Sequence, residues 1–130
     1  MWTPDVYEGA PTPVSALFSV GPKAVGFALI LRVFVLNFGN SPFLDWFSLA
    51  GVIAVLTMTI GNITALGQTN IKRLLAYSTI AQAGYILVGL AVGTPAGIQA
   101  TVFYLLVYTL MNLGAFAAAI SVYNSIKSDS

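Results

Sequence analysis

A lysine in the middle of an apolar stretch is the residue of this 130-residue sequence whose type and place most suggest chemistry. Lys23 lies about nine residues into the first hydrophobic segment, or about 14 Å at about 1.5 Å per residue. That is close to the midplane of a bilayer core about 30 Å thick. A lysine there costs about 2.5–3.5 kcal/mol on insertion scales. Its side chain is too short to reach interfacial water from that depth. Apolar surroundings penalise the charged form, which suits a group that takes up and gives away a proton. The plainer alternative is an ion-paired lysine with a structural role inside a helix bundle. Thr12, Ser15, Ser19 and Lys23 recur at spacings of three and four, so they share one helix face. Pro22 has no amide to bond the Phe18 carbonyl, and Gly21 loosens the same turn. A freed carbonyl beside a lysine is a place for water.

Other segments carry polar stripes of their own. Thr57, Gly61 and Thr64 share a face, with Asn62 beside them. Ser78, Gln82 and Tyr85 share another, with Thr79 adjacent. Thr101, Tyr104, Tyr108 and Asn112 form a fourth at spacings of three and four. Each stripe taken alone reads as interhelical hydrogen bonding, with small residues such as Gly114 and Ala118 allowing close packing. Together they suggest a hydrated path. Its candidate members are Lys23, as the proton relay, with Ser15, Ser19, Lys72, Ser78, Gln82 and Tyr108. Lys72 and Arg73 also serve as interface anchors.

The elements that position these residues are transmembrane helices. Hydrophobic residues make up 58% and charged residues 7%, with mean hydropathy +0.88. A soluble domain carries about 25% charged residues, so the solvent here is lipid or apolar protein. Turn chemistry divides the chain into four spans, at residues 14–36, 46–66, 71–92 and 97–123. Thr12-Pro13 starts the first as an N-cap and a first-turn proline. Residues 37–42 end it, residues 67–70 end the second, and Gly93-Thr94-Pro95 separates the third from the fourth. A polar tail follows from Asn124. The fold class is all-α, a multi-span transmembrane bundle; no period-two alternation supports a β-barrel. Asp5, Glu8, Asp45 and Asp129 all fall outside the spans, so Lys23 has no deep carboxylate partner in this sequence.

Composition also limits the chemistry. There is no cysteine and no histidine. Thiolate metal sites, iron–sulfur clusters and histidine-bound haem therefore find no ligands here. A net charge of +1 without a basic patch points away from nucleic acid. No phosphate loop or dinucleotide fingerprint is present. The N-terminal residues lack a basic n-region, so they do not read as a signal peptide. They open within a proline- and glycine-rich stretch, as an internal piece of a longer protein would.

Three segments carry a family resemblance. Trp2-Thr3-Pro4-Asp5-Val6-Tyr7-Glu8-Gly9-Ala10-Pro11-Thr12-Pro13-Val14 resembles the loop after the broken seventh helix of the antiporter-like membrane subunits of respiratory complex I, the proton-pumping NADH:quinone oxidoreductase. Gln68-Thr69-Asn70-Ile71-Lys72-Arg73-Leu74-Leu75-Ala76-Tyr77-Ser78 resembles the start of their tenth helix, and Met111-Asn112-Leu113-Gly114-Ala115-Phe116 their eleventh. The likeness covers residues 1 to about 124. It implies a parent of about fourteen helices, of which this chain is a fragment holding helices eight to eleven of one proton-translocating domain. It implies that Lys23 is the central helix-eight relay, with its ionisable neighbours on helices outside this sequence. Many family members have histidine where Gln82 stands, so Gln82 fits a water-organising role. The resemblance implies partners among the other membrane-arm subunits, the remaining helices of the same subunit, and lipid. It implies no cofactor in this chain: NAD(H), FMN, iron–sulfur clusters and quinone belong to other subunits.

Two further readings compete. Subunits of multi-subunit sodium/proton antiporters share the fold, but read Leu-Pro-Asp-Ala-His where this chain has Thr3-Pro4-Asp5-Val6-Tyr7. A structural scaffold would leave Lys23 facing lipid or permanently paired.

Basic residues set the expected orientation. The N-terminal loop, the second turn and the tail share one side, holding Lys72, Arg73 and Lys127; the other side holds Arg32. The positive-inside rule puts the first side in the cytoplasm of a bacterial plasma membrane. A Thr94→Cys variant of the parent protein is therefore expected to react with an impermeant thiol reagent in intact cells. Protection there, with labelling only after lysis, reverses the orientation.

Overall fold

A computed structural model describes residues 2–38 and 45–128. Five helices follow in order: α1 (Thr3–Gly9), α2 (Thr12–Ile30), α3 (Trp46–Leu66), α4 (Ile71–Ala91) and α5 (Pro95–Ser128). α2 continues in a wider, π-helical winding over Leu31–Phe38. Among the described residues there is no strand. Four helices are long and apolar enough to cross a membrane, with spans at Thr12–Asn37, Trp46–Leu66, Ile71–Ala91 and Pro95–Ile126. Lys23 falls near the middle of the first.

Three local expectations are corrected. The opening stretch is not all loop, because α1 forms within it. Pro4 sits in its first turn, where a missing amide is harmless, and Asp5 supplies an acid beside the free amides. Seven residues are too few to show a helical period, and Pro4 and Tyr7 alone are buried. The N-cap of α2 is Pro11, and Thr12 is already helical without a side-chain cap. α5 does not stop at Tyr123. It runs on through the polar tail to Ser128. At about 1.5 Å per residue it exceeds a bilayer core, so the polar residues from Asn124 do not end the helix. The expected breakers from Gly39 to Pro42, the Lys127 side chain and Asp129 lie outside the described residues.

Caps fix the other starts. Asn70 Oδ1 accepts from the amides of Lys72 at 2.9 Å and Arg73 at 3.5 Å, opening α4. Asp45 opens α3 by accepting from the Ser48 amide at 3.2 Å and from its hydroxyl. Those bonds hold the Asp45 carboxyl below its usual range, the Ser48 hydroxyl contributing most. α4 turns into α5 at Gly93, whose φ of 66° suits glycine.

Packing between helices uses small residues. α3 and α4 lie antiparallel, and a Cβ on Gly61 would come 2.7 Å from the Ala81 amide nitrogen. A Cβ on Gly84 would meet Met58 and the Ala54 carbonyl, the latter at 3.0 Å. The α4–α5 hairpin closes as tightly where Gly89 faces Thr101 and Gly97. Gly114, expected to permit close packing, has no described residue within 4 Å of its would-be Cβ. It sits on an exposed face of α5.

Several polar side chains are buried while many large aliphatic ones are exposed. Ser15, Ser19, Thr79, Thr101 and Asn112 are buried, while Leu17, Ile63, Leu66 and Leu110 are exposed. That distribution fits an apolar solvent. A small apolar cluster of Tyr7, Ala16, Ala76 and Phe116 joins α1, α2, α4 and α5. Tyr7 and Phe116 meet edge to face, with centroids 6.3 Å apart.

Close packing at two glycines gives a contrast to measure. Gly61→Val or Gly84→Val is expected to lower the amount of assembled parent protein in membranes severalfold. Gly114→Ala should leave it unchanged. Blue-native electrophoresis of solubilised membranes reads the difference.

Candidate functional site

Lys23 projects from α2 toward α4 and α5, and both supply acceptors. Its Nζ donates to the Thr79 carbonyl at 2.5 Å and to the Tyr108 hydroxyl at 3.2 Å. The Tyr108 hydroxyl in turn donates to Thr79 Oγ1 at 3.1 Å. The ammonium also lies 4.7 Å from the centroid of the Tyr108 ring, in cation–π range. Tyr108 and Thr79 are buried, and Lys23 is half-buried.

No carboxylate meets this cation among the described residues. Asp5 and Glu8 pair with Arg73, at 3.1 Å and 2.8 Å. Asp45 is engaged at its cap. Lys23 is therefore held by dipoles and a π face alone. The ammonium has three N–H donors, and Lys23 also borders a cleft. This cleft, of about 560 Å³, is enclosed by α1, α2 and α4 and includes Phe18, Pro22, Lys23 and Thr79 in its walls. At about 30 Å³ per water the cleft has room for several.

The remaining polar groups extend the line in both directions. One turn before Lys23 on α2, Ser19 accepts from Asn112 Nδ2 and donates to the Ala16 carbonyl at 2.6 Å. Asn112 is one turn from Tyr108 on α5. One turn further, Ser15 donates to the Tyr7 carbonyl at 2.9 Å. In the other direction, Gln82 lies one turn past Thr79 and its Oε1 accepts from Tyr104, one turn from Tyr108. Asn62 of α3 then donates to the Tyr85 hydroxyl at 3.0 Å. Burial pushes the Tyr7 phenol well above its ordinary range, with the nearby Tyr108 adding to the shift, so Tyr7 stays neutral.

Of the residues singled out from sequence, Lys23 and Tyr108 are in direct contact, and Ser15, Ser19 and Gln82 fall on the polar line. Lys72 lies elsewhere: its Nζ donates to the Ala10 carbonyl at 3.0 Å, at the turn between α1 and α2. Ser78 is half-buried, and the hydroxyl that joins Lys23 and Tyr108 is that of its neighbour Thr79. Thr79, Asn112 and Tyr104 are the members sequence reasoning left out of the path. Asn112 and Tyr104 carried a signal, since they flank Tyr108 at four-residue spacing.

Fold and site together define a multi-pass helical membrane protein whose mid-span lysine meets no carboxylate among the described residues. The whole chain, residues 1–130, matches the family described as NADH:quinone oxidoreductase/Mrp antiporter, TM, and belongs to it. It is 59% identical over 122 residues to an NADH-quinone oxidoreductase subunit N from Trichlorobacter lovleyi, covering 94% of this chain and 25% of that one. Against a subunit N from Anaeromyxobacter it is 54% identical, covering 100% of this chain and 27% of the relative. An NAD(P)H-quinone oxidoreductase subunit 2 from Picosynechococcus is 56% identical over 92% of this chain and 22% of its own length. The chain thus spans about a quarter of the length of these curated relatives.

Tyr108 is the member whose two bonds can be removed with least change of shape. A hydrogen bond to a charged group contributes about 1.5–3 kcal/mol. Tyr108→Phe keeps the ring but leaves Thr79 Oγ1 without its donor and Lys23 with one fewer acceptor. The thermal unfolding midpoint of the detergent-solubilised parent protein is expected to fall by several degrees. An unchanged midpoint would show that these bonds contribute little.

Proposed function

We propose that this chain is part of a proton-translocating membrane subunit of an NADH:quinone oxidoreductase, and that Lys23 is its relay. The observation that carries the reading is the mid-span lysine bonded to Thr79 and Tyr108 and meeting no carboxylate among the described residues. The names of its relatives support the choice of complex. The same names favour it over the sodium/proton antiporter that the family description also covers. A structural scaffold is the weaker reading, because Lys23 is neither ion-paired nor turned to lipid.

In the proposed cycle the ammonium gives a proton to water in the cleft. The neutral amine keeps Tyr108 and Thr79 as neighbours, which hold it in place for the next proton. Ser19, Asn112 and Ser15 orient water on one side, and Gln82 with Tyr104 on the other. Charge changes at neighbouring sites of the parent drive the switch, powered by quinone reduction in another subunit. Asp, Glu, Lys and Tyr are the only titratable side chains available here besides arginine. With no cysteine or histidine, the chain offers no ligands for an iron–sulfur cluster or a histidine-bound haem. We assign NAD(H), FMN, iron–sulfur clusters and quinone to other subunits. The partners are those subunits, the remaining helices of the parent protein, and the lipid of a bacterial plasma membrane, with α1 on the cytoplasmic side.

The test is Lys23→Ala in the full-length complex, reconstituted in vesicles. Proton yield per electron is expected to fall at least twofold while the complex still assembles and retains its NADH-dehydrogenase activity toward an artificial acceptor. Full pumping in an assembled complex would remove Lys23 from the path.

A further inference from the structure

α1 is the element the proton path does not use, yet it forms one wall of the cleft at Lys23. Trp2, Thr3, Val6 and Tyr7 line that cleft opposite Pro22 and Lys23 of α2, and Thr79 and Ala83 of α4. A seven-residue helix is not stable by itself in water. Its placement depends on what holds it.

The polar tethers converge on the start of α4. Arg73 Nη1 bonds Asp5 at 3.1 Å and Glu8 at 2.8 Å, so one guanidinium bridges both acids of α1. Lys72 holds the Ala10 carbonyl just beyond the helix. Asn70, whose Oδ1 caps α4, reaches Glu8 through its Nδ2 at 3.4 Å. Tyr7 is the apolar pin: it is buried against Phe116, and its carbonyl accepts from Ser15. A single exposed ion pair contributes little. Here one arginine joins two acids one turn apart, and the apolar pin leaves rotation about Tyr7 for the charges to fix.

We propose that Arg73 is a positioning residue for proton access to Lys23: by bridging Asp5 and Glu8 it holds α1 as a wall of the cleft and sets how water reaches the amine. Arg73 carries no proton in this scheme. The inference rests on the relay reading of Lys23 for its functional consequence, but the wall itself does not.

The experiment uses the intact complex in membrane vesicles, with Ala83→Cys placed in the cleft of a variant otherwise free of reactive cysteines. The probe is N-ethylmaleimide, and the second readout is proton yield per electron. Arg73→Gln is expected to change the labelling rate at Ala83→Cys at least threefold and to lower proton yield at least twofold. The double variant Asp5→Asn/Glu8→Gln should reproduce both changes, and Arg73→Lys should recover most of each. An unchanged labelling rate in Arg73→Gln overturns the proposal. So does a double acid variant that behaves like the parent, or altered labelling with full proton yield. If Arg73→Gln fails to assemble, the double acid variant alone decides, since it removes the same bridge from the other side. Normal pumping by Lys23→Ala would sink the relay reading while leaving the labelling comparison intact, so the two failures are separable.

Discussion

A charge taken out of water near the middle of a membrane must be met by dipoles or by another charge, and among the described residues only dipoles and a ring face meet Lys23. Lys23 belongs to α2, whereas its acceptors belong to α4 and α5. The two acceptors reach one amine only if those helices come together at its level. The rest of the packing serves that requirement. Gly93 allows the reversal from α4 to α5, and the contact of Gly89 with Gly97 and Thr101 closes the hairpin. Gly61 and Gly84 then let α3 lie directly on α4. Larger residues at those glycines would move α4, and with it the Thr79 carbonyl.

The same constraint explains why polar side chains collect inside and aliphatic ones outside. In lipid, a serine or asparagine pointing outward would lose its partners, whereas a leucine pointing outward loses nothing. Ser15, Ser19 and Asn112 therefore bury themselves against one another and against backbone carbonyls. Thr59 and Thr64, on a less enclosed helix, turn back on their own α3 and bond the carbonyls of Val55 and Ile60. Polarity without a cross-helix partner is absorbed locally. Polarity with one builds the line through Lys23.

The sequence made the helices and the lysine legible because both depend on local information. Long apolar runs, glycine-containing breaks and one buried cation survive without knowledge of neighbours. Ser15 and Ser19 follow from Lys23 by helical spacing. What stayed hidden depends on which way each helix faces. Ser78 and Thr79 are adjacent, and only the seating of α4 against α2 and α5 selects Thr79. Gly61 and Gly114 look alike in sequence, and only one has a helix pressed on it. α1 stayed hidden for another reason: it is too short to show periodicity, and its order comes from distant contacts such as Arg73 and Phe116.

Among the described residues no carboxylate meets Lys23, and a carboxylate there would change how tightly the ammonium is held. Opposite charges about 4 Å apart at an effective dielectric of about 20 attract by about 4 kcal/mol. A proton held by that extra amount would leave about a thousandfold more slowly. A hydroxyl and a carbonyl hold the ammonium without that added attraction. The acids of the described chain are placed accordingly. Asp5 and Glu8 of α1 share the Arg73 guanidinium, and Asp45 caps the start of α3. Lys23 is left with one side filled by Tyr108 and Thr79 and the other open to the cleft. That asymmetry fixes the amine on one side and leaves its other side facing the cleft.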